Sequence, residues 1–208
     1  DPAGITLDPL DTLLAMHANR LERRDFTVRL ALDSRLAELV TGAREQMLAQ
    51  LKLAWWRDLI RDSDAMTSAG DPLIEALATR PVPGAAELVD AWEALLLHRD
   101  SPNGLRAAAV ARGTSVHGVM ADGEGGATAL AWSLWSLWMR AGDHAIGASA
   151  GSLLRRMDAP GERLPRRLRP LAMLRWRIMR DRASRSNRPA AWSPRDWPRL
   201  AFAGLTGY

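Results

Sequence analysis

Residues 41–60, TGAREQMLAQLKLAWWRDLI, constrain the fold of this chain more than any other stretch. Met47, Leu48, Leu51, Leu53, Ala54, Trp55, Leu59 and Ile60 recur at three- and four-residue steps, and Arg44, Glu45, Lys52, Arg57 and Asp58 fill much of the rest. That is the spacing of an amphipathic helix. Successive helical residues are turned by about 100°, so the adjacent Trp55 and Trp56 face two different surroundings, expected to be a core and a cavity.

The same periodicity recurs along the chain. Asp8 and Pro9 open a helix over 7–24, and Phe26, Leu30, Leu32, Leu36 and Leu39 face inward on a second that Gly42 stops. Asp71 and Pro72 start a short helix to 78, and Leu88, Val89, Trp92, Leu95 and Leu96 form one stripe over 85–98. A weaker helix over 104–120 is interrupted by Gly113 and Gly118, and the glycines of 122–126 mark a loop. Trp132, Trp135 and Trp138 wrap slowly around one side of the next helix and read as core. After Gly142 a helix through Leu154 carries Gly147, Ala148, Ser149, Ala150 and Gly151, small enough for close approach by a backbone or ligand. A last long helix spans 166–184.

No period-2 stretch of useful length appears, so the expected fold is an all-α, single-domain helical bundle over 1–186. Residues 187–208, with Pro189, Pro194 and Pro198, are expected to be a loosely attached segment holding one short helix. A chain of 208 residues with no cysteine can build one core without disulfides.

Charge is unevenly placed. Residues 152–199 carry fourteen Arg against Asp158, Glu162, Asp181 and Asp196, a formal +10, which leaves −6 for the remainder given the net +4. Such a basic end suits an anionic membrane surface, a diphosphate or an acidic protein partner. Nucleic acid is disfavoured, because stacking aromatics and a docking motif are wanting on the 166–188 helix. No stretch reaches the roughly 18–20 apolar residues of a membrane span. The start, DPAGITLD, lacks the basic and apolar regions of a signal peptide. The expected location is the cytoplasm, with peripheral attachment to the inner membrane.

The Trp55-Trp56-Arg57 tripeptide closing an amphipathic helix, followed by acids and by DPLIEAL at 71–77, resembles the squalene and phytoene synthase family. The likeness is to the branch that includes a respiratory complex I assembly factor. It implies a terpenoid synthase fold with an apolar cavity, here lined by Trp56, Leu96, Trp132 and Gly147, and a prenyl diphosphate or other isoprenoid ligand. Active members carry two aspartate-rich helical motifs, because clustered carboxylates hold the Mg²⁺ that neutralises a leaving diphosphate.

Both motifs look degraded here. The first position offers LALDSRLAEL, where only Glu38 falls near an expected acid and Asp33 is set apart by Arg35. At the second, Arg155 and Arg156 precede Met157-Asp158, and Arg156 stands where an aspartate would bind metal. A fixed cation repels Mg²⁺ and attracts phosphate. The pair Asp58 and Asp62 lacks a partner cluster, GASAG lacks the strand and following histidine of a nucleophile elbow, and His17, His98, His117 and His144 form no ligand set.

The resemblance therefore implies a protein without prenyl transfer, without a cofactor, binding an isoprenoid or serving as an assembly factor near the membrane. Its ligand pocket would draw on Glu38, Trp56, Arg57, Asp90, Glu93, Trp132, Gly147, Arg155 and Arg156, and Arg166, Arg167, Arg169, Arg175 and Arg177 would meet the membrane or anion. Two alternatives stand beside it. One is an active Mg²⁺-dependent transferase of farnesyl or geranylgeranyl diphosphate using Glu38, Asp90 and Glu93, the last two at i, i+3 on one helix. The other is a helical nucleic-acid binder using 166–188.

Overall fold

A computed structural model describes residues 4–61, 70–141, 145–161, 164–184, 189 and 196–206. Asp62, His144, Glu162, Arg163 and the expected boundary at 186/187 lie outside them. The described residues form ten α-helices and no strand, so the all-α expectation holds. They are α1 (Pro9–His17), α2 (Arg23–Thr41), α3 (Gln46–Arg61), α4 (Pro72–Thr79) and α5 (Ala85–His98), then α6 (Pro102–His117), α7 (Gly126–Ala141), α8 (Ala145–Arg156), α9 (Arg169–Ala183) and α10 (Asp196–Thr206).

Local chemistry sets the starts and stops. Asp8, Asp71 and Ser101 each accept a backbone N–H in the first turn, and a proline follows each cap where a missing N–H costs nothing. Gly118 ends α6 at φ 63°, a left-handed C-cap that glycine adopts without strain. Gly113 does not interrupt α6. A Cβ there would lie 2.4 Å from the Ala129 carbonyl oxygen, so the glycine is where α6 and α7 cross in near backbone contact. The small residues of α8 serve the same purpose for a side chain: Gly151 lies against the Trp138 ring, 3.0 Å from where its Cβ would be.

The core centres on α7, whose Trp132, Trp135 and Trp138 are all buried. Inside it lies an ion pair. Arg112 on α6 is fully buried and grips Asp33 of α2 through two hydrogen bonds of 2.7 and 2.6 Å. Its remaining donors reach the Ser133 carbonyl at 3.0 Å and the Ser136 hydroxyl at 2.7 Å, and Trp92 donates to Asp33 at 2.9 Å. The guanidinium is stacked between Trp92 and Trp132, 4.9 and 4.6 Å from their ring centroids.

Two expectations are corrected. Trp56 enters the core, but Trp55 faces outward at 52% exposure rather than a cavity. With Met47, Leu48 and Leu51, also more than half exposed, it forms an apolar stripe on the outside of α3. α10, the described helix of the C-terminal segment, is also held by buried ion pairs rather than loosely attached. Asp196 of α10 takes hydrogen bonds from buried Arg177 at 2.6 Å and from Arg180 at 2.7 Å, and Leu200 is buried beside them.

Substituting Arg112→Met strands Asp33 in the interior, and the expected cost is about 3–5 kcal/mol in chemical denaturation. Adding Asp33→Asn removes the stranded charge and should recover much of that loss.

Candidate functional site

Residues of α1, α7 and α10, with Asp8 ahead of α1, line a slot of about 380 Å³. Leu10, Trp132, Trp135, Met139 and Trp197 give it apolar walls, and Asp8, Asp11 and Arg140 bring charged groups to the lining. Trp135 commits its N–H to Asp181 at 2.9 Å, so it offers the slot ring carbon rather than a donor. Behind Asp8 and Arg140, which line both spaces, opens a polar hollow of about 410 Å³ bordered by Ser34, Arg35, Glu38 and Asp71. Apolar and polar compartments thus meet at one pair of charged side chains. An apolar pocket with a few convergent polar groups is the usual form of a small-molecule site.

Asp11 is the most perturbed carboxyl of the slot. It follows the cap residue Asp8 by one helical turn and is only 4% exposed. Burial, and then the neighbouring Asp8 charge, push its pKa up to about 7 against the opposing pull of Arg140, with Asp33 adding a smaller rise. Arg140 reaches Asp11 at 3.3 Å, the Ser34 hydroxyl at 3.1 Å and Asp8 at 3.9 Å. One guanidinium is shared between two carboxylates.

His117 lies across Trp132 from the slot side, edge-on to that indole with ring centroids 4.5 Å apart. Burial first, and then the Arg29 and Arg112 charges, pull its pKa down to about 3. It is therefore a neutral core imidazole.

The residues expected from the sequence fall in several places. Of the four cavity residues, only Trp132 lines the slot, whereas Trp56, Leu96 and Gly147 are buried in helix packing. Glu38 is exposed in the polar hollow. Arg57, Asp90 and Glu93 do come together, on the seam between α3 and α5. Arg57 donates to Asp90 at 2.7 Å and to Glu93, and these two acids hold its charged form above the ordinary arginine range.

Arg155 lies 5.2 Å from the Trp138 ring centroid, and exposed Arg156 borders a separate groove with Arg99 and Asp100. Neither meets the slot. Arg177 cannot touch a membrane, because it is fully buried and bound to Asp181 and Asp196. Arg166 and Arg167 are exposed, Arg167 paired with Glu124, and Arg169 and Arg175 are half-buried.

Mg²⁺ does not fit the acids that would have held it. Asp90 and Glu93 are bound by Arg57 and Asp33 by Arg112, each at hydrogen-bond distance, and Glu38 lies apart from all three in the polar hollow. Among the described residues no three His, Cys, Asp or Glu side chains converge as a metal-binding group. Comparison with family models, with curated proteins and with solved structures gives no match to this chain.

Sequence reasoning passed over Asp11, Arg112 and Arg140, and met Asp33 only as an acid of the degraded first motif rather than as the partner of a buried arginine. A signal for three of them was present. Asp11 lies at helical steps between Leu7 and Leu14, Asp33 between Leu30 and Leu36, and Arg112 between Ala108 and Val116, each a charge on an otherwise apolar face.

Between about pH 4, the usual aspartate value, and pH 7 folded Asp11 holds a proton that the unfolded chain releases, so its contribution to stability falls as pH rises through that window. His117 acts oppositely, and its contribution is lost as pH falls from about 6.5 towards 3. Asp11→Asn should raise stability at pH 8 by on the order of 3 kcal/mol and little at pH 4. Thermal denaturation across that range measures it.

Proposed function

We propose that this protein is a non-catalytic isoprenoid-binding protein, related in fold to the squalene and phytoene synthases its sequence resembles. The observation that carries the reading is a slot walled by Trp132, Trp135, Trp197, Leu10 and Met139 that meets a polar hollow at Asp8 and Arg140, the pairing of apolar and polar space that an isoprenoid with a single head group requires. The engagement of Asp33 by Arg112, and of Asp90 and Glu93 by Arg57, supports the absence of diphosphate ionisation, since Mg²⁺ would have to displace a guanidinium from each acid.

Farnesol added to the full-length protein should perturb indole fluorescence and bind with or without Mg²⁺. Met139→Trp, which fills the slot with a larger ring, should weaken that binding at least tenfold while circular dichroism stays helical. Farnesyl diphosphate with Mg²⁺ should give no diphosphate release. Turnover would overturn the reading in favour of an active transferase.

A place at a membrane is supported by a different element from the one the arginine count suggested. On α9, Arg177 is buried and Arg182 is spent on the Leu154 and Met157 carbonyls, whereas α3 presents Met47, Leu48, Leu51 and Trp55 to solvent beside exposed Arg44 and Lys52. A helix with exposed Leu and Trp flanked by cations suits the interface of an anionic bilayer. Among the described residues no helix is long and apolar enough to cross one. Sedimentation with phosphatidylglycerol vesicles should be lost in Leu51→Glu and kept in Arg175→Gln. The reverse pattern would return the contact to α9.

A further inference from the structure

The slot and the hollow behind it also constrain the head group. Resting on the reading that the slot binds a ligand, we propose that this ligand is an amphiphilic organic cation, an ammonium with an apolar chain, rather than a prenyl diphosphate. Two independent features of the site point to it.

The first is the charge balance where the compartments meet. Asp8 and Asp11 face one guanidinium, Arg140, which also serves the Ser34 hydroxyl. In the hollow Arg35 is bound to Asp71 at 3.2 Å, and Glu38 adds a further carboxylate. Nothing in this lining offers the surplus of donors that a diphosphate needs, and no carboxylate cluster for a bridging metal is found among the described residues. An ammonium entering from the slot would instead supply the positive charge that Asp8 and Asp11 lack. Burial raises the Asp11 pKa most, and among the charges that face it Asp8 ahead of α1, joined by Asp33 from α2, outweighs Arg140 from α7.

The second feature is aromatic. Trp132, Trp135 and Trp197 line the slot beside those carboxylates, and indole faces attract cations, alkylated ammonium groups above all. This chain already uses its indoles in that way. Arg112 is held between Trp92 and Trp132, Arg155 over Trp138, and Arg180 and Arg199 over Trp176 at 4.8 and 5.0 Å. Carboxylates beside indoles form a cation site, and the remaining apolar wall, with Leu10 and Met139, accommodates the chain.

The test compares four probes on the full-length protein at pH 8, by calorimetry: farnesol, farnesyl trimethylammonium and farnesyl diphosphate without metal, which share one chain, and tetramethylammonium, which lacks it. The expected order is ammonium tightest by at least tenfold, then the alcohol, then the diphosphate. Asp11→Asn and Asp8→Asn, the latter keeping a competent helix cap, should each reduce the ammonium-to-alcohol affinity ratio at least fivefold. Farnesol binding with the diphosphate equal to or tighter than the ammonium overturns the cation inference and leaves isoprenoid binding standing. Tetramethylammonium binding without farnesol overturns isoprenoid binding and leaves the cation site standing. Failure of all probes overturns both.

Discussion

The bundle depends on one buried ion pair. Arg112 and Asp33 are each at most 1% exposed, and their charges are tolerated only because every available donor and acceptor is used. Asp33 takes two bonds from the guanidinium and one from Trp92, and Arg112 spends its other donors on Ser133 and Ser136 of α7. α2, α5, α6 and α7 are therefore fixed relative to one another by directional bonds, which apolar packing alone does not supply. The close crossing at Gly113 places Arg112 next to α7, so backbone contact and ion pair act together.

The slot follows from this arrangement. Trp132 stacks on Arg112 at 4.6 Å and also lines the slot, and Ser136 both accepts from Arg112 and faces the slot. The slot thus shares α7 residues with the layer that holds the ion pair. One side of it is the α7 face bonded to Arg112, and another includes Trp197 on α10, a helix held through Asp196 to Arg177 and Arg180. A second buried pair of opposite charges hence fixes the other wall. The arginines that make the C-terminal part so basic act here partly as internal braces.

Much of the helical layout was legible because it rests on local rules. Asp8-Pro9, Asp71-Pro72 and Gly42 mark helix ends by chemistry confined to a few residues, and the apolar stripes of α2 and α5 name their own inward faces. The site was less legible. Arg57, Asp90 and Glu93 were singled out as pocket acids and a base, and they do meet, but as a mutual ion-pair cluster on the α3–α5 seam. Asp11, by contrast, lies in a first helical turn, where an acid ordinarily interacts with the helix dipole. Its raised pKa comes first from burial in the folded bundle and then from the Asp8 charge, and that burial depends on helices distant in the sequence.

The sequence by itself determined that the chain is helical, where most helices begin and end, and which faces are apolar, because these depend on contacts within about one helical turn. Only tertiary structure decided which charges are buried. The +10 of residues 152–199 is a property of composition, but whether an arginine meets solvent, as Arg166 does, or Asp196 in the interior, as Arg177 does, depends on helix α10 packing back across α9. The meaning of a charge is set by its distance to other charges and to water, and those distances exist only once the chain has folded.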